Sequence, residues 1–335
     1  MSCQVSQIRT NYFLRMRMHT FSPFFKAFIF ALLIIAKPTV YAAEAAVSTS
    51  ATAAVSTIVM FPNEILQISD APEIKSSILI ADKSVRKLYF FESEETLTTP
   101  VSFEIDIGKN SGAKTKRNDK KTPEGIYLLQ KKMTPPEIPF DQYGSLAFAT
   151  DYPNVFDKFE NKTGDGIWLH SVPDTVPLSR GSKGCVVLRN ESIQKLSDQI
   201  SLNKSHLIIN SKTEWIDSDA HTLRKNKVIN WLTNWKDTWQ KQDLENYGKM
   251  YSDEFSAPNF NKKSWLMHKE KLKGIYKAIT LDFSKPSIFH TKNQYLIKFV
   301  QNYTSDMHQD KGIKTLYLIE KGDDLLILRE EWSSL

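Results

Sequence analysis

A change of hydrophobic period near residues 213–221 constrains this chain most. Before it, apolar residues come in short runs: Ser77 to Ala81, Lys87 to Phe91, Val101 to Ile107, Ile126-Tyr127-Leu128-Leu129, Ile167-Trp168-Leu169 and Leu207-Ile208-Ile209. Runs this short, bounded by turn residues such as Asp82-Lys83-Ser84 and Thr122-Pro123-Glu124-Gly125, predict strands. Asn190 caps a helix there, with Ile193, Leu196 and Ile200 on one face. After the change, Val228, Trp231, Leu232, Trp235 and Trp239 recur at helical spacing. A second helix is predicted over Lys262 to Lys273. Strands follow at Ala278 to Phe289, Gln294 to Tyr303, Ile313 to Ile319 and Leu325 to Trp332. The pattern predicts a mostly-β domain over 73–212 and an α+β domain over 221–335, its helices on one face of a curved antiparallel sheet. The Trp-rich stripe reads as that helix's core face rather than the wall of a ligand cavity.

Residues 1–42 contain Arg9, Arg15, Arg17, Lys26 and Lys37 and no acidic residue, then an apolar run from Ala27 to Ala36 before Val40-Tyr41-Ala42. That is the order of a secretory signal peptide. The run is far short of the roughly 20 residues that span a bilayer, so cleavage near Ala42 is expected rather than retention as an anchor. Residues 43–72, opening on the Ala/Ser/Thr/Val-rich stretch Ala43 to Thr57, are expected to be a low-complexity linker. The chain carries 44 basic and 38 acidic residues, net +6; removing the five basic residues of 1–42 leaves 39 against 38, net +1. A nucleic-acid partner is thereby excluded as a reading. The expected location is the periplasm or cell envelope. Cys3 departs with the signal, so the mature chain keeps one thiol and can form no internal disulfide.

That thiol, Cys185, sits in Gly181-Ser182-Lys183-Gly184-Cys185, fifteen residues after His170. A thiol needs a base to attack at neutral pH, and imidazole suits that task. Neighbouring glycines let the backbone approach a substrate and aim N–H groups at a developing oxyanion. Two ligands do not make a zinc site, so neither metal nor cofactor is expected. The residues alone leave a catalytic thiol and a buried structural thiol both open.

The surrounding pattern resembles the L,D-transpeptidase catalytic domain of YkuD type. His170-Ser171 matches the first part of its signature, and Ser182, Gly184, Cys185 and Val186 match the second. Gly108, Thr122-Pro123-Glu124-Gly125-Ile126-Tyr127, Tyr152-Pro153-Asn154 and Asp157 look like its upstream motifs. There are two departures: Lys183 stands where the signature has His, and Val187 where it has Arg, with Arg189 two further on. The second domain is similar to the NTF2-like fold, from element order and from Tyr251-Ser252-Asp253-Glu254-Phe255. This combination looks like a subgroup that includes cell-shape enzymes trimming peptidoglycan stem peptides.

The resemblance implies that Cys185 attacks the L-centre carbonyl of a stem tetrapeptide and expels terminal D-alanine, with His170 as base. Cys185 and Gly184 would offer N–H groups to the oxyanion, Ser171 and Ser182 would position, and Lys183 and Arg189 would meet a substrate carboxylate. The acyl group would pass to water or to an amine; both fates stay open. The second domain would recruit substrate or a wall-synthesis protein, and a 43–215 fragment is expected to keep the chemistry. A catalytically inactive wall-binding or scaffold protein is the alternative.

Overall fold

The computed structural model describes residues 58–335; the expected signal peptide and residues 43–57 of the expected linker lie outside the described residues. The rest of that linker is not a tether. Strands β1 (Met60–Pro62) and β2 (Ile65–Gln67) form there, and Ile65 and Leu66 are fully buried. Their apolar side chains complete a core that lies partly in the other domain.

The first domain contains β3 (Ile78–Asp82), β4 (Lys87–Phe91), β5 (Val101–Glu104), β6 (Gly125–Met133), β7 (Ala147–Thr150), β8 (Trp168–Val172), β9 (Val186–Arg189) and β10 (His206–Asn210). They form one sheet in the order β5-β4-β3-β10-β6-β7-β8-β9. Short helices α1 (Phe140–Tyr143), α2 (Val155–Phe159) and α3 (Asn190–Ser197) sit between strands. Two expectations change here. The strand predicted to reach Ile107 ends at Glu104, and Asp106 is buried beyond it. The strand predicted over Ile167-Trp168-Leu169 begins at Trp168 and runs on through His170 to Val172.

After β11 (Trp215–Asp217) comes α4 (Ser218–Gln240), capped by the Asp217 side chain on the Ala220 N–H. Then follow α5 (Leu244–Lys249), β12 (Tyr251–Ala257), β13 (Phe260–Asn261) and α6 (Lys262–Ile275). The predicted strand over Ala278 to Phe289 is two strands, β14 (Ile279–Phe283) and β15 (Ser287–Thr291). They are split at Pro286, which lacks the N–H a continuous ladder needs. Strands β16 (Gln294–Ser305), β17 (Gln309–Lys321) and β18 (Asp324–Ser334) complete a sheet ordered β13-β12-β18-β17-β16-β15-β2, with β14 also on β16. The seventh strand on this path, β2, comes from before the first domain.

Alternation along the strands shows where the cores lie. In β16, Tyr295, Ile297 and Phe299 pack with Val228, Leu232, Trp235 and Trp239 of α4. Leu296, pointing the other way, packs with Ile78, Ile80, Ile126 and Ile208 of the first domain's sheet. Likewise Leu79 and Ala81 of β3 face the first domain's own core, while Ile78 and Ile80 face the C-terminal domain. Each central sheet is therefore covered on both sides, and the two domains share one continuous apolar layer. Phe156 of α2 extends it against Ile319 and Leu328.

Candidate active site

Strands β8 and β9 run parallel, with Leu169 opposite Val186 and His170 opposite Val187. Paired residues point to the same face, as do residues two apart in one strand, so His170 and Cys185 project from the same side. The opposite side carries Leu169, Val186 and Leu188 into the domain core. This alternation sets both side chains at one cleft of about 780 Å³, with Val172 and Val187 packed beside Cys185 on the same face.

The turn before Cys185 is tightly specified. Gly184 has φ +137°, and a Cβ there would lie 2.7 Å from the Lys121 carbonyl oxygen. Only glycine tolerates both conditions. Ser182 Oγ donates to the Cys185 carbonyl at 2.7 Å and accepts from the Gly184 N–H at 3.0 Å. The Gly184 N–H is thus already engaged inside the turn, contrary to its expected place in an oxyanion hole. Of the two donors considered there, the Cys185 N–H remains.

Cys185 Sγ lies 3.5 Å from the Gly166 carbonyl. Burial pushes the thiol up to about 11, against the opposing influences of the Trp168 backbone and the Lys114 ammonium. His170 Nδ1 lies 2.7 Å from the Ser171 carbonyl oxygen. A carbonyl can only accept, so Nδ1 carries the proton and Nε2 is the basic nitrogen. Burial takes the imidazole down to about 4; the Ser171 carbonyl resists this and the Arg180 charge adds to it. Both groups are therefore neutral at pH 7, a thiol and an unprotonated imidazole that line one cleft rather than a preformed ion pair. The Tyr143 ring stands edge-on to His170 at a centroid distance of 5.1 Å and limits its rotation.

The other expected residues divide. Lys183 lines the cleft. The Ser171 hydroxyl is fully buried and accepts from the Ser145 N–H at 3.0 Å, which fixes the turn that carries Tyr143. It does not line the cleft; its main-chain carbonyl does the orienting of His170. Arg189 is a correction. Its guanidinium donates to the Val176 carbonyl at 2.7 Å, outside the cleft lining. It ends β9 on the side where the loop after β8 returns, so it anchors that loop rather than a substrate.

Sequence reasoning missed several contributors. The loop over residues 108–121 bends over the cleft and supplies Lys109, Lys114, Arg117 and Lys120. Its Lys-rich composition was visible, but nothing local says where it folds. Lys114 pairs with Asp119 at 2.8 Å and Arg117 with Asp165 at 2.6 Å. Lys109, Lys120, Arg180 and Lys183 have no acidic partner among the described residues. Buried Asp106 accepts from the Gly181 N–H and pairs with Arg86 at 2.9 Å, pinning the start of the cysteine turn. The site is a thiol and a base in a cleft with excess positive charge, suited to an anionic acyl substrate.

The model of the L,D-transpeptidase catalytic domain (YkuD) matches residues 76–216, and the model of the Cds6 C-terminal NTF2-like domain matches residues 227–331. A search of curated proteins gave no match. Among solved structures, the chain is similar to Bd1075 of Bdellovibrio bacteriovorus at 43% identity and a TM-score of 0.77, covering 82% of this chain and 99% of that one. It is also similar to the helical cell shape determining protein Pgp2 of Campylobacter jejuni, at 26% identity and a TM-score of 0.59, covering 82% and 94%. With both domains matched in order and the likeness spanning nearly the full length of those two chains, this protein belongs to the L,D-transpeptidase (YkuD) family of peptidoglycan-modifying enzymes, in the form that carries a C-terminal NTF2-like domain.

Proposed function

We propose that the protein is an exported thiol enzyme of the cell envelope that cleaves the terminal D-alanine from peptidoglycan stem tetrapeptides. The observation that supports this most is the projection of Cys185 and His170 from adjacent parallel strands into one positively charged cleft. Stem peptides carry free carboxylates, which the unpaired cations would attract. Cys185 Sγ attacks the L-centre carbonyl carbon while His170 Nε2 takes the thiol proton. The tetrahedral oxyanion accepts from the Cys185 N–H. Collapse breaks the C–N bond, His170 returns the proton to the departing amine, and a thioester remains on Cys185. Water then releases a tripeptide, or an amine from a neighbouring stem forms a cross-link.

The likeness to a cell shape determining protein supports a role in shaping the wall. A wall-synthesis partner would meet the C-terminal domain on its helical side, because the other side of its sheet is covered by the catalytic domain. The deciding experiment is incubation with purified disaccharide tetrapeptides followed by mass analysis. Loss of D-alanine without dimers means trimming, and new dimers mean transfer. Unchanged tetrapeptide would reject the proposal.

The neutral resting pair has a pH consequence. With His170 near 4, the imidazole stays unprotonated and able to accept a proton throughout pH 5–8. Activity is therefore lost as pH falls through about 4, not through the ordinary histidine range. A kcat/KM profile, which reports the free enzyme, should be flat from pH 5 to 7 and fall below that. Alkylation of Cys185 by iodoacetamide should keep rising toward pH 11. An acid limb centred near 6.5 would contradict this arrangement.

A further inference from the structure

One charged side chain of the C-terminal domain reaches the turn that follows the basic loop of the cleft. Lys292 sits at the tip of the β15–β16 hairpin with φ +53°. Its ammonium pairs with Glu124 Oε2 at 2.7 Å, although Glu124 belongs to the catalytic domain. Glu124 is almost fully buried, and its other oxygen pairs with Lys83 at 2.8 Å. Lys83 also donates to the Gly112 carbonyl at 2.8 Å and to the Thr122 carbonyl at 3.1 Å. Those two carbonyls lie within and just after the basic loop over 108–121. Thr122 Oγ1 accepts from the Gly108 N–H at 2.8 Å, closing the loop at its base. The carbonyl of Lys121 packs against Gly184, directly before the nucleophile.

Burial alone would raise the Glu124 carboxyl, but Lys292 and Lys83 outweigh it and hold it below the usual range. The carboxylate is thus charged, buried and dependent on both lysines. Removing one leaves half of a buried charge without its partner. The same hairpin is fixed beside this contact by Gln294, which donates to Glu160 at 2.8 Å.

We infer that Lys292 is a positioning residue for the reaction: through Glu124 and Lys83 it holds the basic loop in its substrate-receiving shape, so the C-terminal domain sets substrate affinity in the catalytic cleft. The inference rests on the proposed activity for its kinetic consequence, but not for its structural one. Lys292 touches no reacting group, so its loss should act on KM and leave kcat near wild type.

The test uses the full chain with Lys292→Ala and Lys292→Arg. Lys292 is half exposed, so neither change threatens folding. By the scale of such ion pairs, Lys292→Ala should speed amide hydrogen exchange in residues 109–121 and raise KM for disaccharide tetrapeptide, each about three- to fivefold. Lys292→Arg should restore both. Exchange unchanged in that loop, or accelerated equally throughout the molecule, would overturn the coupling. Faster loop exchange with an unchanged KM would overturn the role in substrate binding. A wild-type chain inert on tetrapeptide would instead defeat the proposed activity, and the exchange measurement would still decide the coupling.

Discussion

Cys185→Ala should lower turnover of disaccharide tetrapeptide by at least about 10³-fold, because no second thiol lines the cleft among the described residues and the Ser182 hydroxyl is tied to the Cys185 carbonyl. The fold should survive. The side chain lost is small, and its polar contacts are the long approach to the Gly166 carbonyl and the Trp168 backbone. A change of about 1 kcal/mol or less is expected, or a few degrees in Tm for a protein of this size. The two measurements belong together. Activity retained at wild-type level would remove Cys185 from the mechanism, and a Tm drop of more than about 10 °C would mean that lost activity reports unfolding.

Truncation after residue 216 should have an effect of comparable size on folding. The expectation that a 43–215 fragment keeps the chemistry treats the domains as independent, and the shared apolar layer argues otherwise. Ile78, Ile80, Phe91, Ile126 and Ile208 would lose Phe289 and Leu296 across the interface. At about 1.5–3 kcal/mol for each exposed side chain, five of them amount to roughly 7–15 kcal/mol. That matches the whole stability of a typical domain, about 5–15 kcal/mol. Strand β2 would also lose β15, leaving an unpaired edge prone to association. The fragment should be insoluble or lack a cooperative thermal transition by circular dichroism. A soluble monomer melting near the full chain would show the domains to be separable after all.

Much of this architecture was legible in the residues. The strands over Ile78–Asp82 and His206–Asn210 follow from short apolar runs between turn residues, and the core face of α4 follows from helical spacing. Such patterns arise because strands and helices must bury apolar side chains, and the burial is recorded in the residues themselves. The candidate pair was legible for a different reason: a lone thiol preceded by glycines, with His170 close upstream, is a chemical pattern independent of long-range folding.

What covers each face was not legible. Ile78-Leu79-Ile80-Ala81 and Leu207-Ile208-Ile209 are apolar at every position, which indicates burial on both sides but names no neighbour. Only the tertiary structure shows that one side meets the C-terminal sheet, and that Ile65–Gln67 crosses over to extend that sheet. Charged side chains are less predictable still, because a long flexible stem takes its direction from whatever lies within reach. Arg189 stands out in the sequence and Arg180 does not. The return of one loop turns Arg189 onto the Val176 carbonyl and leaves Arg180 at the cleft. The sequence by itself determined the candidate reactive groups and the strands beside them; the packing of distant segments decided which charges line the cleft and that Lys292 of the second domain pairs with Glu124 of the first.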